Sequence, residues 1–389
     1  MLKAKVIGTG AAGNKAAIEL VNSGKFPITD ITLINSTDRD IPEEYHNDAI
    51  IFGKSRPNHL GGCGKERTLG KKMFIEDIKN RKIDLDGIVD KDTNFVIIVS
   101  STEGGSGSAS APIIAKYIRT VLNIPVVLVL FFGFNTDARG MQNSIELCQE
   151  LESSFTVIGI SNEKFLNQVN GNKSKAEHLA NKEFCSIVGI LTGADMKPGN
   201  QNIDRTDLYK LVTTPGYMAV GSASLKNAKN SSMISATIKN GIDESKFVDT
   251  SDKSAKRMGL IFNIPEDMED SIDINGENFV KAYGIPYEMY THIQYADKDA
   301  FMRWIVAGMN LPVDAINDIY EKYMDTSANV SKGQDAFFSM VRAFEGDSDN
   351  GMFDMMISAD VDDDDEPHDT KSAMDKFIRE FGPGKYSIV

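Results

Sequence analysis

Cysteine is scarce. Cys63, Cys148 and Cys185 are the only three in 389 residues, and no CxxC spacing occurs. So small and scattered a set builds neither a disulfide framework nor a thiolate zinc site, and it fits a reducing, cytoplasmic setting. The five histidines, His46, His59, His178, His292 and His368, keep no metal-like spacing. No apolar run reaches about 18 residues, so no membrane-spanning helix is expected. No leader peptide is expected either, because Lys3 and Lys5 introduce a strand that runs into a glycine turn. GxSxG is missing, which removes the elbow an α/β serine hydrolase needs. Positive charge is short as well: 42 Lys and Arg against 56 Asp and Glu leave a net charge of −14. That balance argues against direct wrapping of nucleic acid and against docking on an anionic membrane.

The acid is unevenly placed. Residues 345–389 hold thirteen acidic and four basic side chains, with an unbroken acidic run from Asp362 to Glu366. This is the composition of a solvated, disordered segment. The rest of the chain is long enough, and at 41% hydrophobic residues apolar enough, for two cores.

Glycine is plentiful and clustered. Residues 102–112 read TEGGSGSASAP, after an apolar strand over 95–99 and before an amphipathic run over 113–122. Strand, glycine loop and helix in that order leave backbone N–H groups at a helix N-terminus, where unpaired donors and the helix dipole attract an anion. Gly104, Gly105 and Gly107 let the backbone approach a phosphate with no Cβ in the way, and Ser106 and Ser108 add hydroxyls. The same composition also serves a plain βα turn. A second loop, GTGAAGN at 8–14, follows a strand over 4–7 and precedes a helix over 15–22. This is the GxGxxG setting that cradles a dinucleotide or another phosphate. A nicotinamide site would carry Asp or Glu near the end of the next strand, over 28–35; Asn35 stands there, and Asp38 lies beyond it. A third loop, HLGGCGKER at 59–67, sets Lys65 and Arg67 beside three glycines, or is a surface turn with solvated bases.

The alternation continues with a helix over 68–82, a strand over 124–132, a polar loop over 133–140, a helix over 141–151 and a strand over 155–160. It predicts a parallel sheet with helices on both faces and ligands at the carboxyl ends of the strands, the edge on which all four loops fall. One long helix is expected over 174–196, with Leu179, Ile187, Ile190 and Leu191 as its apolar stripe. Pro198 and Gly199 break the pattern. Asn202, Asp204 and Asp207 follow, then a helix over 208–218 that either aspartate could cap. The small-residue, polar stretch over 221–232 suits a loop or a helix start. A smaller unit then shows strand signals at 257–264, 279–283, 292–296 and 303–309, and helical patterns at 312–324 and 334–344. A short amphipathic piece over 373–381 closes the acidic tail.

In this order and spacing the loops resemble those of the tubulin/FtsZ superfamily of GTPases, over about residues 3–325. GTGAAGN is similar to the first nucleotide loop. TEGGSGSASAP is similar to the signature loop, with Glu103 and Ala109 where glycines are usual. GGCGKER at 61–67 is similar to the γ-phosphate-sensing loop. GCGKER, and IVAGMNLP at 305–312, look most like the phage- and plasmid-encoded TubZ (PhuZ-like) branch. The resemblance implies an α/β, Rossmann-type parallel-sheet GTPase domain over 1–173 and a central helix with a catalytic loop over 174–221. It also implies a smaller α+β second domain over 222–311, and C-terminal helices with the acidic tail over 312–389. The cofactors it implies are GTP and GDP with Mg²⁺, the ion bridging phosphates and mostly water-ligated, with no dedicated protein metal site. The implied nucleotide set is Gly10, Ala11, Ala12 and Asn14; Gly61, Gly62, Cys63, Gly64 and Lys65; and Thr102, Gly104, Gly105, Ser106, Gly107 and Ser108. Asp137 is added for the ribose and Asn181 for guanine, whose edge an amide can pair. Arg139 is the nearest substitute for a family arginine, since Met141 occupies its place.

Asn202, Asp204 and Asp207 fit the family's NxDxxD residue for residue. In relatives this loop enters the nucleotide pocket of the next subunit. The resemblance therefore implies a head-to-tail homopolymer whose carboxylates align the attacking water, while positioning, metal and backbone donors carry phosphoryl transfer. The implied work is movement or segregation of plasmid or phage DNA through a DNA-binding adaptor protein, with no direct nucleic-acid or membrane contact. The acidic tail suits a neighbouring subunit or a basic patch on the adaptor. FtsZ-type cell division is the alternative, although residues 381–386 lack its basic, hydrophobic terminal peptide. A nicotinamide dehydrogenase would leave two glycine loops and NxDxxD without a use.

Overall fold

The apolar runs become the central strands of one sheet, and their near-complete burial explains why they read as continuous rather than alternating. The structure, a computed structural model, describes residues 1–24, 28–54, 61–228, 230–244, 253–271, 276–296 and 300–344. His59, the acidic run at 360–369 and the piece at 373–381 lie outside the described residues. The first part of the chain runs β1 (Ala4–Thr9), α1 (Gly10–Asn22), β2 (Ile28–Asn35), β3 (Ala49–Ile51), α2 (Arg67–Lys79), β4 (Phe95–Ser101), α3 (Gly107–Thr120), β5 (Val126–Phe132), α4 (Ala138–Gln149) and β6 (Thr156–Ser161). Their strands pair in parallel in the order β3-β2-β1-β4-β5-β6. Right-handed crossovers of this kind put helices on both faces.

The rest comprises α5 (Asn162–Gln168), α6 (Lys173–Thr192), α7 (Arg205–Val212), β7 (Gly216–Ser224), α8 (Ser231–Asp243), β8 (Arg257–Ile264), α9 (Glu277–Tyr283), β9 (Glu288–Tyr295), β10 (Phe301–Met309) and α10 (Val313–Phe344). These four strands extend the same sheet in the order β7-β10-β8-β9, giving ten strands in all. The join is narrow, only Thr156 with Gly216 and Val157 with Tyr217. Helix α6 ends at Thr192 rather than residue 196, because Gly193 adopts the left-handed conformation that glycine tolerates.

Several expectations need correction. The helix after Asp207 ends at Val212 rather than residue 218, because Pro215 and Gly216 break it and Gly216, with φ +117°, opens β7. Of the small-residue stretch expected over 221–232 as a loop or helix start, α8 does start at Ser231, but 221–224 are the end of β7. Trp304 of β10 lies over it: a Cβ on Gly221 would sit 2.4 Å from the indole. Residues 279–283, expected as a strand, are helix α9, in which Phe279 and Tyr283 stack one turn apart. The two C-terminal helical patterns are one helix, α10. In both glycine loops the helix starts earlier than expected, at Gly10 and at Gly107.

Candidate nucleotide site

Helices α1, α2 and α3 all begin at the carboxyl edge of the parallel strands, and none has a side-chain cap; Thr9, Glu66 and Ser106 occupy the cap positions without bonding the first turn. Five other helices are capped by side chains: Asp137 on α4, Ser161 on α5, Asn172 on α6, Asp204 on α7 and Asn230 on α8. First-turn N–H groups need a partner, and where the chain withholds one an anion can supply it.

Two adjoining hollows occupy this edge. The larger, about 380 Å³, is lined by Gly10, Ala11, Ala12, Gly62, Cys63, Lys65 and residues 103–107, with Asn35, Ser36 and Thr37 from the end of β2. The smaller, about 230 Å³, takes in Asn181, Lys15, Phe131, Phe134, Asn162 and Glu177. Ala11, Ala12, Ser101 and Glu103 line both, so the two are one continuous cleft. Its floor admits no side chain: a Cβ on Gly10 would lie 2.9 Å from the Gly107 nitrogen, and one on Gly107 2.6 Å from the Thr9 carbonyl oxygen. Above Gly104 there is open space. Buried polar atoms without partners sit beside the cleft, among them Asn35 Nδ2 and Asn162 Oδ1. A small-residue floor, uncapped helix starts and orphaned amides fit a phosphate group with a base beyond it.

Six of the expected residues shape this cleft without lining it. Asn14 is buried beneath the first loop, packed where a Cβ on Gly8 would be 2.9 Å from its Oδ1. Thr102 is buried and shares a 2.7 Å hydrogen bond with Ser144. Ser108 donates to the Gly104 carbonyl, closing the loop on itself. Gly61 and Gly64 supply positive φ to the 61–67 loop, +85° and +57°. Asp137 caps α4 and pairs with Lys65 at 2.7 Å. Burial works against its charge, but the Lys65 bond and the Gly140 N–H hold its carboxyl below the usual value. Arg139 pairs with Glu66 at 3.0 Å.

Glu103 turns its carboxylate into the 133–140 loop, where Oε1 accepts the Asn135 N–H at 3.0 Å. A Cβ on Gly133 would lie 1.8 Å from its carboxyl carbon, so the glycine makes room for it. Burial raises the Glu103 pKa, opposed by the Asn135 N–H. Asn143 of α4 carried no sequence signal, yet its Nδ2 donates to the Lys65 and Glu103 carbonyls, each at 2.9 Å, and so staples the 61–67 loop to the 102–112 loop. Ser36, another unflagged residue, bonds Ser106 at 2.6 Å. Asn181 donates to Glu19 Oε2 at 3.1 Å while lining the cleft.

Asn202, Asp204 and Asp207 lie elsewhere. Helix α6 has 20 residues, so it carries the chain about 30 Å. Its stretch from Asn181, beside the cleft, spans about 17 Å and reaches the opposite edge, where Thr192 accepts the Leu2 N–H. The 202–207 loop sits at this amino edge, with Arg205 donating to Asn94 just before β4. Asp204 accepts the Asp207 N–H at 2.8 Å as the cap of α7. The Asn202 amide is engaged at both ends by the Gly199 backbone. Among the described residues, no three His, Cys, Asp or Glu side chains cluster to hold a metal ion. No helix among them is long and apolar enough to cross a membrane.

Residues 3–170 match the Tubulin/FtsZ family, GTPase domain. The chain is 25% identical over 238 residues to the tubulin-like protein CetZ2 of Haloferax volcanii, an alignment covering 59% of this chain and 65% of CetZ2. The chain thus spans slightly under two thirds of that relative. Among solved structures, the fold is similar to a GTPγS-bound CetZ2 protofilament from Haloferax volcanii, with a TM-score of 0.68 and 19% identity over 84% of this chain and 100% of that one. It is equally similar to TubZ of Bacillus thuringiensis serovar israelensis in a GTPγS-form protofilament, with a TM-score of 0.69 and 16% identity over 86% and 94%. Residues 3–170 thus match the GTPase domain of the Tubulin/FtsZ family, and the fold of the chain is the one those two protofilament structures share.

Proposed function

We propose that this protein binds GTP with Mg²⁺ in the cleft between α1, α2 and α3, assembles head to tail with copies of itself in the cytoplasm, and hydrolyses GTP at each junction. The observation that carries the reading is the separation of two half-sites. The cleft lies at one edge of the sheet and the NxDxxD carboxylates at the other, beyond the roughly 17 Å of α6 between Asn181 and Thr192. One chain cannot close the site; a second copy, added heterologously, can, and such contacts propagate as filaments. In the cleft, backbone N–H groups and Lys65 face the phosphates, Asn181 faces the guanine edge, and Asp204 and Asp207 of the next subunit orient the attacking water. A Mg²⁺ bound with the nucleotide would neutralise phosphate charge without needing a dedicated set of protein ligands.

The filament's work is moving or segregating plasmid or phage DNA through a DNA-binding adaptor. Support for this cargo is the likeness of GCGKER and of residues 305–312 to the TubZ branch. Deleting residues 346–389 should impair assembly or adaptor recruitment; unchanged filaments with unchanged recruitment would refute a role for the tail. The central test is light scattering with parallel phosphate release, using GTP, ATP and NADH. Scattering and phosphate release are expected with GTP alone. An equal response to ATP, or none to GTP, overturns the reading.

A further inference from the structure

The 202–207 loop is pinned to the edge strand β9 by a buried polar network. Residue 203 is its anchor. The Ile203 side chain is buried between two exposed neighbours, Asn202 and Asp204. Its backbone N–H donates to His292 Nδ1 at 3.3 Å. An amide N–H can only donate, so Nδ1 must be the acceptor and the ring proton resides on Nε2. That Nε2 lies 3.2 Å from Gln294 Oε1, an oxygen that also accepts the Lys197 N–H at 2.8 Å. The Gln294 amide nitrogen donates to Asn263 Oδ1 at 2.9 Å and to the Asp195 carbonyl. His292, Gln294 and Asn263 are all buried. Every polar group in the set thereby has a defined role, so the tautomer and both amide orientations are fixed together.

Backbone pairing surrounds this network. Asn200 donates to the Ile293 carbonyl at 2.8 Å, and Ile293 donates back to Gln201 at 3.0 Å. Gly199 permits the approach, since a Cβ there would lie 1.9 Å from the Ile293 oxygen. The backbone pairs hold residues 199–201. Beyond them, the His292 bond is the polar contact that fixes the peptide between Asn202 and Ile203, just ahead of Asp204.

We propose that His292, held by Gln294, is a positioning residue for GTP hydrolysis: as neutral acceptor of the Ile203 N–H it sets where the Asp204 and Asp207 carboxylates enter the neighbouring subunit's nucleotide cleft. This rests on the reading that those carboxylates act in trans. His292 touches neither nucleotide nor water and acts only through the loop. Displacing a reacting group by an ångström costs about a hundredfold in rate, so the loop's placement matters more than its presence.

The test compares the full-length His292→Leu and His292→Asn proteins with wild type. Leucine keeps the volume and deletes the acceptor; asparagine Oδ1 sits where Nδ1 did. Three quantities are read: nucleotide affinity of the monomer with a fluorescent GTP analogue, polymer mass by sedimentation, and GTP turnover per sedimented subunit. For His292→Leu, affinity is expected to hold, because the cleft is at the other edge, while turnover per assembled subunit falls at least about tenfold. His292→Asn is expected to return most of it, within about threefold of wild type. Normal turnover in His292→Leu polymers overturns the proposal. An equal loss in both variants also overturns it, since the side chain would then act by packing. Asp204→Asn, run alongside, separates the layers. Slow turnover there with normal His292→Leu sinks only the positioning role. Normal turnover in Asp204→Asn polymers sinks the trans reading beneath it.

Discussion

The glycine-loop helix starts at the carboxyl edge and the start of α7 at the amino edge are built in opposite ways, although α4 and α5, also at the carboxyl edge, carry the side-chain caps Asp137 and Ser161. At the carboxyl edge, α1, α2 and α3 open on glycine-rich loops without side-chain caps. At the amino edge, α7 opens on Asp204, whose carboxylate bonds the Asp207 N–H, and the preceding Asn202 is locked onto Gly199. The first edge keeps its donors available to a ligand; the second satisfies its own donors and presents acids. Positive ends of helix dipoles on one side and carboxylates on the other give the molecule a polarity matched to head-to-tail stacking. A glycine-loop helix start without a cap, in a chain that caps five other helices with Ser, Asn or Asp, marks a place where something else can complete the structure.

The strongest way to break this comparison is to remove the charge and keep the cap. Asparagine caps as well as aspartate, so Asp204→Asn should fold and assemble with GTP while its turnover falls about a hundredfold or more. Phosphate release per polymerised subunit measures it, and a loss below tenfold would leave Asp204 as a cap alone. A smaller effect is expected at the other edge. Gly107→Ala puts a Cβ 2.6 Å from the Thr9 carbonyl oxygen, an overpacking of about 1–3 kcal/mol that should weaken GTP binding on the order of tenfold. Mixing Gly107→Ala with Asp204→Asn sharpens the point. Each supplies the edge the other lacks, so the mixture should turn over GTP faster than either protein alone; no gain on mixing would argue that both edges act within one chain.

The smallest effect concerns Glu103. Burial raises its pKa above the ordinary 4.5, so the folded protein holds this proton more tightly than the unfolded chain. The resulting penalty is present at neutral pH and disappears as pH falls through the raised value and below the ordinary one. Glu103→Gln, which can still accept the Asn135 N–H, should raise Tm slightly at neutral pH and not in acid. It should also tighten GTP about threefold at neutral pH by removing a charge beside the phosphates. Thermal scans and titrations at two pH values check both; a pH-independent difference would place the carboxylate's influence elsewhere.

Much of this was legible before any coordinates. The alternating elements of residues 4–161, the glycine loops at the carboxyl edge and the long central helix follow from periodicity and from glycine placement, which local sterics fix. Phe279 and Tyr283 read as strand because aromatic and β-branched residues dominate 279–283; their i, i+4 spacing was the overlooked helix signal, and packing against Trp304 at 5.4 Å settles it. The strand at 221–224 could not be read locally, because Gly221 lies under the Trp304 ring, which comes from some eighty positions later in the chain. Asn143 and His292 were silent for the same reason. A polar residue within an apolar pattern does not announce which distant carbonyl or N–H it will meet.

By itself, then, the sequence determined the residue types that phosphate binding and water alignment require, and their spacing along the chain. Glycine's freedom from a Cβ, the acidity of NxDxxD and the uncapped loop-to-helix junctions are local properties. Tertiary structure decided where those groups stand relative to one another. It set Thr102, Ser108 and Asn14 to supporting the cleft rather than lining it, and turned Glu103 away into the 133–140 loop. It also carried the NxDxxD acids to the far edge along α6. Such placements depend on contacts between residues far apart in the chain, which no local pattern encodes.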